Sequence, residues 1–142
     1  MKKFAQDSHF YVVLTLGPIV WVGLSFILPV QAGIEKLAAE PWLLLSSVLV
    51  YPILEEVVFR GLILEAISAR TVGRRIGLVT FANLLTSLLF VAAHFIYHPW
   101  NWALVVFFPS LVFGYMKERH QSLWPPIILH VFYNLGFFIL FV

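Results

Sequence analysis

The sequence predicts an all-α membrane protein, a bundle of about five transmembrane helices with a polar site in its interior. Three observations carry this. The 142 residues are 61% hydrophobic and only 11% charged, with a mean hydropathy of +0.94. A soluble domain is nearer one-half apolar and one-quarter charged. Long apolar runs alternate with short charged connectors, and the basic residues gather on one side of the alternation. Length allows a single transmembrane domain over residues 1–142. With no cysteine in the chain, disulfides and thiolate metal sites are excluded.

The first span is predicted over residues 10–30, from Phe10 to Val30, behind Met1, Lys2 and Lys3. A signal peptide is the rival assignment, with Pro29-Val30-Gln31-Ala32 as a poor cleavage site. An apolar region of this length exceeds the roughly 7–15 residues of a signal sequence, so the span is read as retained. A short polar connector from Gln31 to Pro41 carries Glu35, Lys36 and Glu40. The second span runs from Trp42 to about Ile67, enough for a bilayer crossing of about 20 residues. Arg70, Arg74 and Arg75, with Gly73 and Gly77, form a basic connector. The third span is predicted from Leu78 to Tyr97, followed by a tight turn at His98-Pro99-Trp100-Asn101. The fourth is predicted from Trp102 to Met116, broken by Pro109 and thinned by Ser110 and Gly114. Lys117-Glu118-Arg119-His120-Gln121 is the second charged connector. Trp124-Pro125-Pro126 opens the fifth span, and proline is tolerated in a first turn.

Threading five spans places Lys2, Lys3, Arg70, Arg74, Arg75, Lys117 and Arg119 on one side and Lys36 alone on the other. By the positive-inside rule the N-terminus is cytoplasmic. The same asymmetry accounts for the pI near 9.1 without nucleic acid as a partner. Trp42, Trp100, Trp102 and Trp124 lie at span ends, as interfacial anchors do. There is no internal repeat and no low-complexity stretch.

Ionisable residues within a span are costly and mark function by default. The second span holds Glu55, Glu56 and Arg60. Glu56 and Arg60 stand at i and i+4 with the acid first, the better order for a pair. Glu55 projects about 100° away, onto a different face. Pro52 cannot donate to the carbonyl of Val48, which predicts a kink just before the acids. Glu65, near the basic connector, reads as an exposed interfacial acid. His94 follows the small residues Ala92 and Ala93. His130 and Asn134 share one face of the fifth span. Alone, either histidine reads as readily as a packing residue. Together with the acid they supply a base for water and donors for an oxyanion. His9, His98 and His120 fall at connectors and read as solvated. Asn83, Thr86 and Ser87 read as interhelical hydrogen-bonders.

Glu55-Glu56-Val-Val-Phe-Arg60 fits EExxxR, Phe90-Val-Ala-Ala-His94 fits FxxxH, and His130-Val-Phe-Tyr-Asn134 fits HxxxN. In this order the motifs resemble those of the type II CAAX prenyl protease and bacteriocin-processing family, the CPBP or Abi family of glutamic-type intramembrane endopeptidases. The resemblance covers about residues 43–138 and leaves the first span outside. It implies a compact bacterial member in the inner (plasma) membrane, acting on a protein or peptide in or near the bilayer. Processing of C-terminal sorting signals is one substrate class among the family's. It implies that Glu55 and His94 activate a water, that His130 and Asn134 steady the oxyanion, and that Glu56 and Arg60 orient the site. It implies no cofactor and no metal. Two alternatives stand beside it. One carboxylate and two histidines can hold zinc, although no HExxH is present. Buried Glu and His also serve non-enzymatic proton relays or an immunity protein. Counting residues places His94 nearer the outer face than Glu55 or His130, unless the third span begins later than Leu78 or Pro52 and helix tilt correct the register.

Overall fold

A computed structural model describes residues 4–31 and 33–142. Lys2 and Lys3, two members of the predicted basic flank, lie outside the described residues, as does Ala32. The described chain is helical apart from loops and one hairpin of two two-residue strands, and a 3-10 turn, Phe4–Gln6, precedes the first α-helix. The helices are α1 (Ser8–Ser25), α2 (Gly33–Ala39), the long α3 (Pro41–Thr71), α4 (Phe81–His94), α5 (Trp100–Val105), α6 (Phe107–His120) and α7 (Trp124–Phe141). Strands β1 (Arg75–Ile76) and β2 (Val79–Thr80) pair antiparallel between α3 and α4.

Among the described residues, three helices, α1, α3 and α7, are long and apolar enough to cross a membrane. The chain is therefore an integral membrane protein of the predicted all-α class. Two predicted spans are shorter than expected. Helix α4 is apolar but has 14 residues, about 21 Å against the roughly 30 Å of a hydrocarbon core. It starts at Phe81 rather than Leu78. Gly77, at φ +62°, turns the hairpin, and the Thr80 hydroxyl caps α4 by accepting the Asn83 N–H at 3.0 Å. The predicted fourth span divides at Val106 into α5 and α6, ahead of Pro109. Pro109 itself lies in the first turn of α6, where a missing N–H costs little.

Helix α3 is not uniformly α. Residues Leu44–Val50 and Val57–Ile63 are π-helical, and the α segment Tyr51–Glu56 separates them. Wide turns of this kind are rare and often accompany function.

The chain forms two compact units. The first takes in the described part of Met1–Leu54 together with Ile127–Val142. Its packing depends on glycines facing aromatic rings. A Cβ at Gly17 would approach the Tyr133 ring to 2.9 Å, and one at Gly136 would lie 2.1 Å from the Trp21 indole. Glycine at these positions lets α1 and α7 meet closely, as small residues do between membrane helices. The Tyr133 hydroxyl donates to the Val13 carbonyl, and Trp21 packs on Phe132 at 5.1 Å between ring centroids.

The second unit is Glu55–Pro126. Its core is Leu64, Ala82, Phe90, Val91, Ala103, Phe113 and Met116. Unusually for such a core, Glu56, Arg60, Asn83, Thr86, Ser87 and Ser110 are buried among them. Gly114 on α6 makes room for Asn83 on α4, since a Cβ there would sit 1.9 Å from the Asn83 Oδ1.

Candidate active site

Within the second unit the expected pair forms. Arg60 Nη1 donates to Glu56 Oε1 at 3.0 Å, and neither side chain is exposed at all. A buried charge needs both an opposite charge and further hydrogen bonds. Arg60 obtains them from α6, where Nη2 donates to the Ser110 carbonyl at 2.9 Å and to the Ser110 hydroxyl at 2.7 Å. The guanidinium also lies over two rings, 4.7 Å from the centroid of Phe90 and 5.5 Å from that of Phe113.

The hydrogen bonds continue in one direction. Ser110 Oγ donates to Ser87 Oγ at 3.0 Å, and Ser87 Oγ donates to Asn83 Oδ1 at 3.3 Å. The Asn83 amide in turn donates to the Leu111 carbonyl at 2.9 Å. Thr80 closes the series by donating to Glu118 Oε1. Asn83 and Ser87 are thus interhelical hydrogen-bonders, as expected. Thr86 is not: its hydroxyl is buried with no hydrogen-bond partner among the described residues. Sequence reasoning passed over Ser110 as a weak point of its span. The available signal was that Ser110 and Gly114, four apart, give α6 one small, polar face.

Glu55, next to Glu56 on α3, is half-buried. His94, the last residue of α4, is also half-buried. Its Nδ1 lies 2.9 Å from the Phe90 carbonyl. A carbonyl only accepts, so Nδ1 carries the hydrogen and the neutral ring keeps its lone pair on Nε2. His94 packs on Phe90 at 4.3 Å and stacks on His98 at 5.5 Å between ring centroids. His98, expected to be merely solvated, is exposed but forms this stack. Glu65 is exposed as expected, and Lys117 reaches it at 2.7 Å.

His130 and Asn134 lie on α7 in the first unit. His130 is buried. Asn134 Nδ2 donates to the Ser47 carbonyl of α3 at 3.0 Å. The same unit has an apolar groove of ≈ 400 Å³, lined by Pro41, Leu44, Val48, Val131 and Leu135 among others. The structure brings Glu56 to Arg60 in one unit and Asn134 to Ser47 in the other. Among the described residues, no three His, Cys, Asp or Glu side chains cluster as a metal site.

Comparison with known proteins adds a family. The chain is similar to a Bacillus subtilis (strain 168) protein named "Putative membrane peptidase YdiL", 30% identical over 104 residues. The match takes in 73% of this chain and 39% of that protein, so the chain spans about two-fifths of the relative's length. No solved structure matches. The family model for type II CAAX prenyl endopeptidases of the Rce1-like kind matches residues 37–136, a stretch that holds all three motifs. Matched over well more than half its length, and through every one of those motifs, the chain belongs to the Rce1-like type II CAAX prenyl endopeptidase family.

Proposed function

We propose that the chain is an intramembrane endopeptidase that hydrolyses a peptide bond of a membrane-associated protein through a Glu/His-activated water. One observation carries this. A membrane-length apolar helix presents two adjacent acids in different settings, Glu56 fully buried against Arg60 and Glu55 half-buried beside it. Two carboxylates whose environments differ can take different roles. The buried Glu56–Arg60 pair suits a fixed support, and this reading gives the chemistry to the more accessible Glu55.

In the proposed reaction, Glu55 takes a proton from water as the oxygen attacks the scissile carbonyl. His94, with its basic Nε2, shares in activating that water. The carbonyl π electrons move onto oxygen, and His130 and Asn134 stabilise the resulting oxyanion as donors. Collapse breaks the C–N bond, and the amine leaves with the proton that Glu55 held. One water is consumed, and one acid and one amine are formed. The resemblance implies a bacterial inner membrane, and the distribution of Arg and Lys supports a cytoplasmic N-terminus. Proteins carrying C-terminal sorting signals are one candidate substrate class.

The test compares membrane proteins from cells holding the wild type with those holding Glu55→Gln or His94→Ala. New termini close to membrane spans should appear with the wild type alone, while all three proteins accumulate in the membrane. Full cleavage by Glu55→Gln overturns the glutamic mechanism. Loss of cleavage on chelation, restored by zinc, would establish the metal-dependent alternative instead.

A further inference from the structure

Asn134, the proposed oxyanion donor, already spends one hydrogen on a backbone carbonyl, and the sequence explains why that carbonyl is available. In the π stretch Leu44–Val50 an amide reaches back five residues, and the Tyr51 N–H bonds to the Ser46 carbonyl. The next donor in this register belongs to position 52, a buried proline with no N–H. The Tyr51 amide is taken by Ser46 and Pro52 has none to give, so the Ser47 carbonyl is left without a helix amide. Backbone carbonyls away from water need a donor. Asn134 Nδ2 supplies it at 3.0 Å from the neighbouring helix.

We propose that Pro52 is a positioning residue for the peptidase reaction, acting through the Ser47 carbonyl on the Asn134 amide. This rests on the proposed peptidase function. A side-chain amide can sit either way round, and a half-turn exchanges its donor for its acceptor. The Ser47 carbonyl accepts only, so the bond fixes Nδ2 on its side. One Nδ2 hydrogen is taken, and the second is left to donate in a fixed direction. A donor held in place before the reaction needs no reorganisation during it. Without Pro52, the amide at that position would compete for Ser47 and release Asn134 to rotate.

Replacing Pro52 separates this role from a merely structural one. Alanine is the best helix former and proline the worst, so Pro52→Ala should fold and melt no lower than wild type. A structural kink that helps only packing gives no reason for a loss of rate. Assays use peptides spanning the cleavage sites found by the terminus comparison. Asn134→Ala sets the floor, with a fall in kcat of about 10²–10³-fold, the usual cost of one oxyanion donor. Pro52→Ala should lower kcat by about tenfold or more on the same scale, with little change in KM. It should cost nothing further in the Asn134→Ala background, because both changes act through one group. Pro52→Ser restores the same N–H and repeats the test should the alanine variant not accumulate. In nitrogen-labelled protein, the Asn134 side-chain hydrogens should exchange faster in Pro52→Ala than in wild type. Wild-type kcat with unchanged exchange overturns the proposal, as does a loss that persists in full without Asn134. If Glu55→Gln cleaves like wild type, the peptidase reading has failed instead, and the exchange measurement still decides the Pro52 contact.

Discussion

Gly114→Ala is the smallest change that tests whether the buried polar seam between α4 and α6 holds the Glu56–Arg60 pair. The added methyl would lie 1.9 Å from Asn83 Oδ1, 2.4 Å from Cγ and 2.8 Å from Nδ2. No heavy atom tolerates such approaches, so the Asn83 side chain must move. It is almost fully buried, at 1% exposure, and has no solvent to move into. Movement breaks its bond to the Leu111 carbonyl and the bond it accepts from Ser87. Each buried polar group left unsatisfied costs about 1–3 kcal/mol, so the pair amounts to roughly 2–6 kcal/mol. The assay is thermal unfolding of wild type and variant in the same detergent. Gly114→Ala should be strongly destabilised, and cleavage should fall because Ser87 and Ser110 connect the seam to Arg60. The decisive control is Gly114→Ala with Asn83→Ala. Removing the amide gives the methyl its space, so the double variant should be more stable than the sum of the single losses by about 0.5–3 kcal/mol. A wild-type melting curve for Gly114→Ala, or strict additivity in the double variant, would refute the packing argument.

Two further predictions follow from the same contacts. Gly136→Ala places a methyl 2.1 Å from the Trp21 indole; overpacking of this kind should cost about 1–3 kcal/mol, read as a lower melting midpoint that Trp21→Leu partly restores. Glu118, which lies beyond the apolar part of α6, has its carboxyl pushed up by partial burial, against the opposing pull of the Thr80 hydroxyl, Arg75 and Lys117. A folded-state value above the unfolded one means stability that is fully present below the unfolded value and lost as pH rises through the folded one. The midpoint of the wild type should therefore fall relative to Glu118→Gln across that window, and a difference independent of pH would remove the argument.

Local features of the chain were legible, and partners distant in sequence were not. The Glu56–Arg60 pair was readable because i,i+4 spacing fixes a contact within one helix. That Pro125 and Pro126 would open α7 was readable because a first turn has N–H groups to spare. Hydrophobicity alone gave the all-α membrane class. It overran the start of α4, because Leu78 and Val79 are apolar yet lie in a hairpin set by Gly77 and ended by the Thr80 cap. The break in the fourth span was expected at Pro109 and occurs at Val106. Proline disrupts what precedes it, so a proline near an apolar run marks the start of a helix as readily as its interruption. Ser110 bonds to Arg60 across 50 residues. Periodicity shows which face of a helix is polar and says nothing about which helix will meet it.

The π stretches of α3 were the least legible feature, and they bear most on the acids. Pro52 has no amide for the Val48 carbonyl of an α register; because the Tyr51 amide goes to Ser46, the Ser47 carbonyl also lacks a helix amide, and it is the one that Asn134 meets. Nothing in residues 44–50 favours five-residue hydrogen bonds over four on propensity alone. The choice becomes intelligible once Asn134 is included, since the π register is the one in which the vacated carbonyl meets a donor from α7. The second π stretch, Val57–Ile63, contains Arg60, whose guanidinium must reach back to Glu56 and across to Ser110 at once. In both stretches a wide turn coincides with a side chain bonded to another helix. The backbone of α3 departs from the α register on each side of Tyr51–Glu56, the segment that carries the acids, and at each departure a polar contact from α6 or α7 accompanies it.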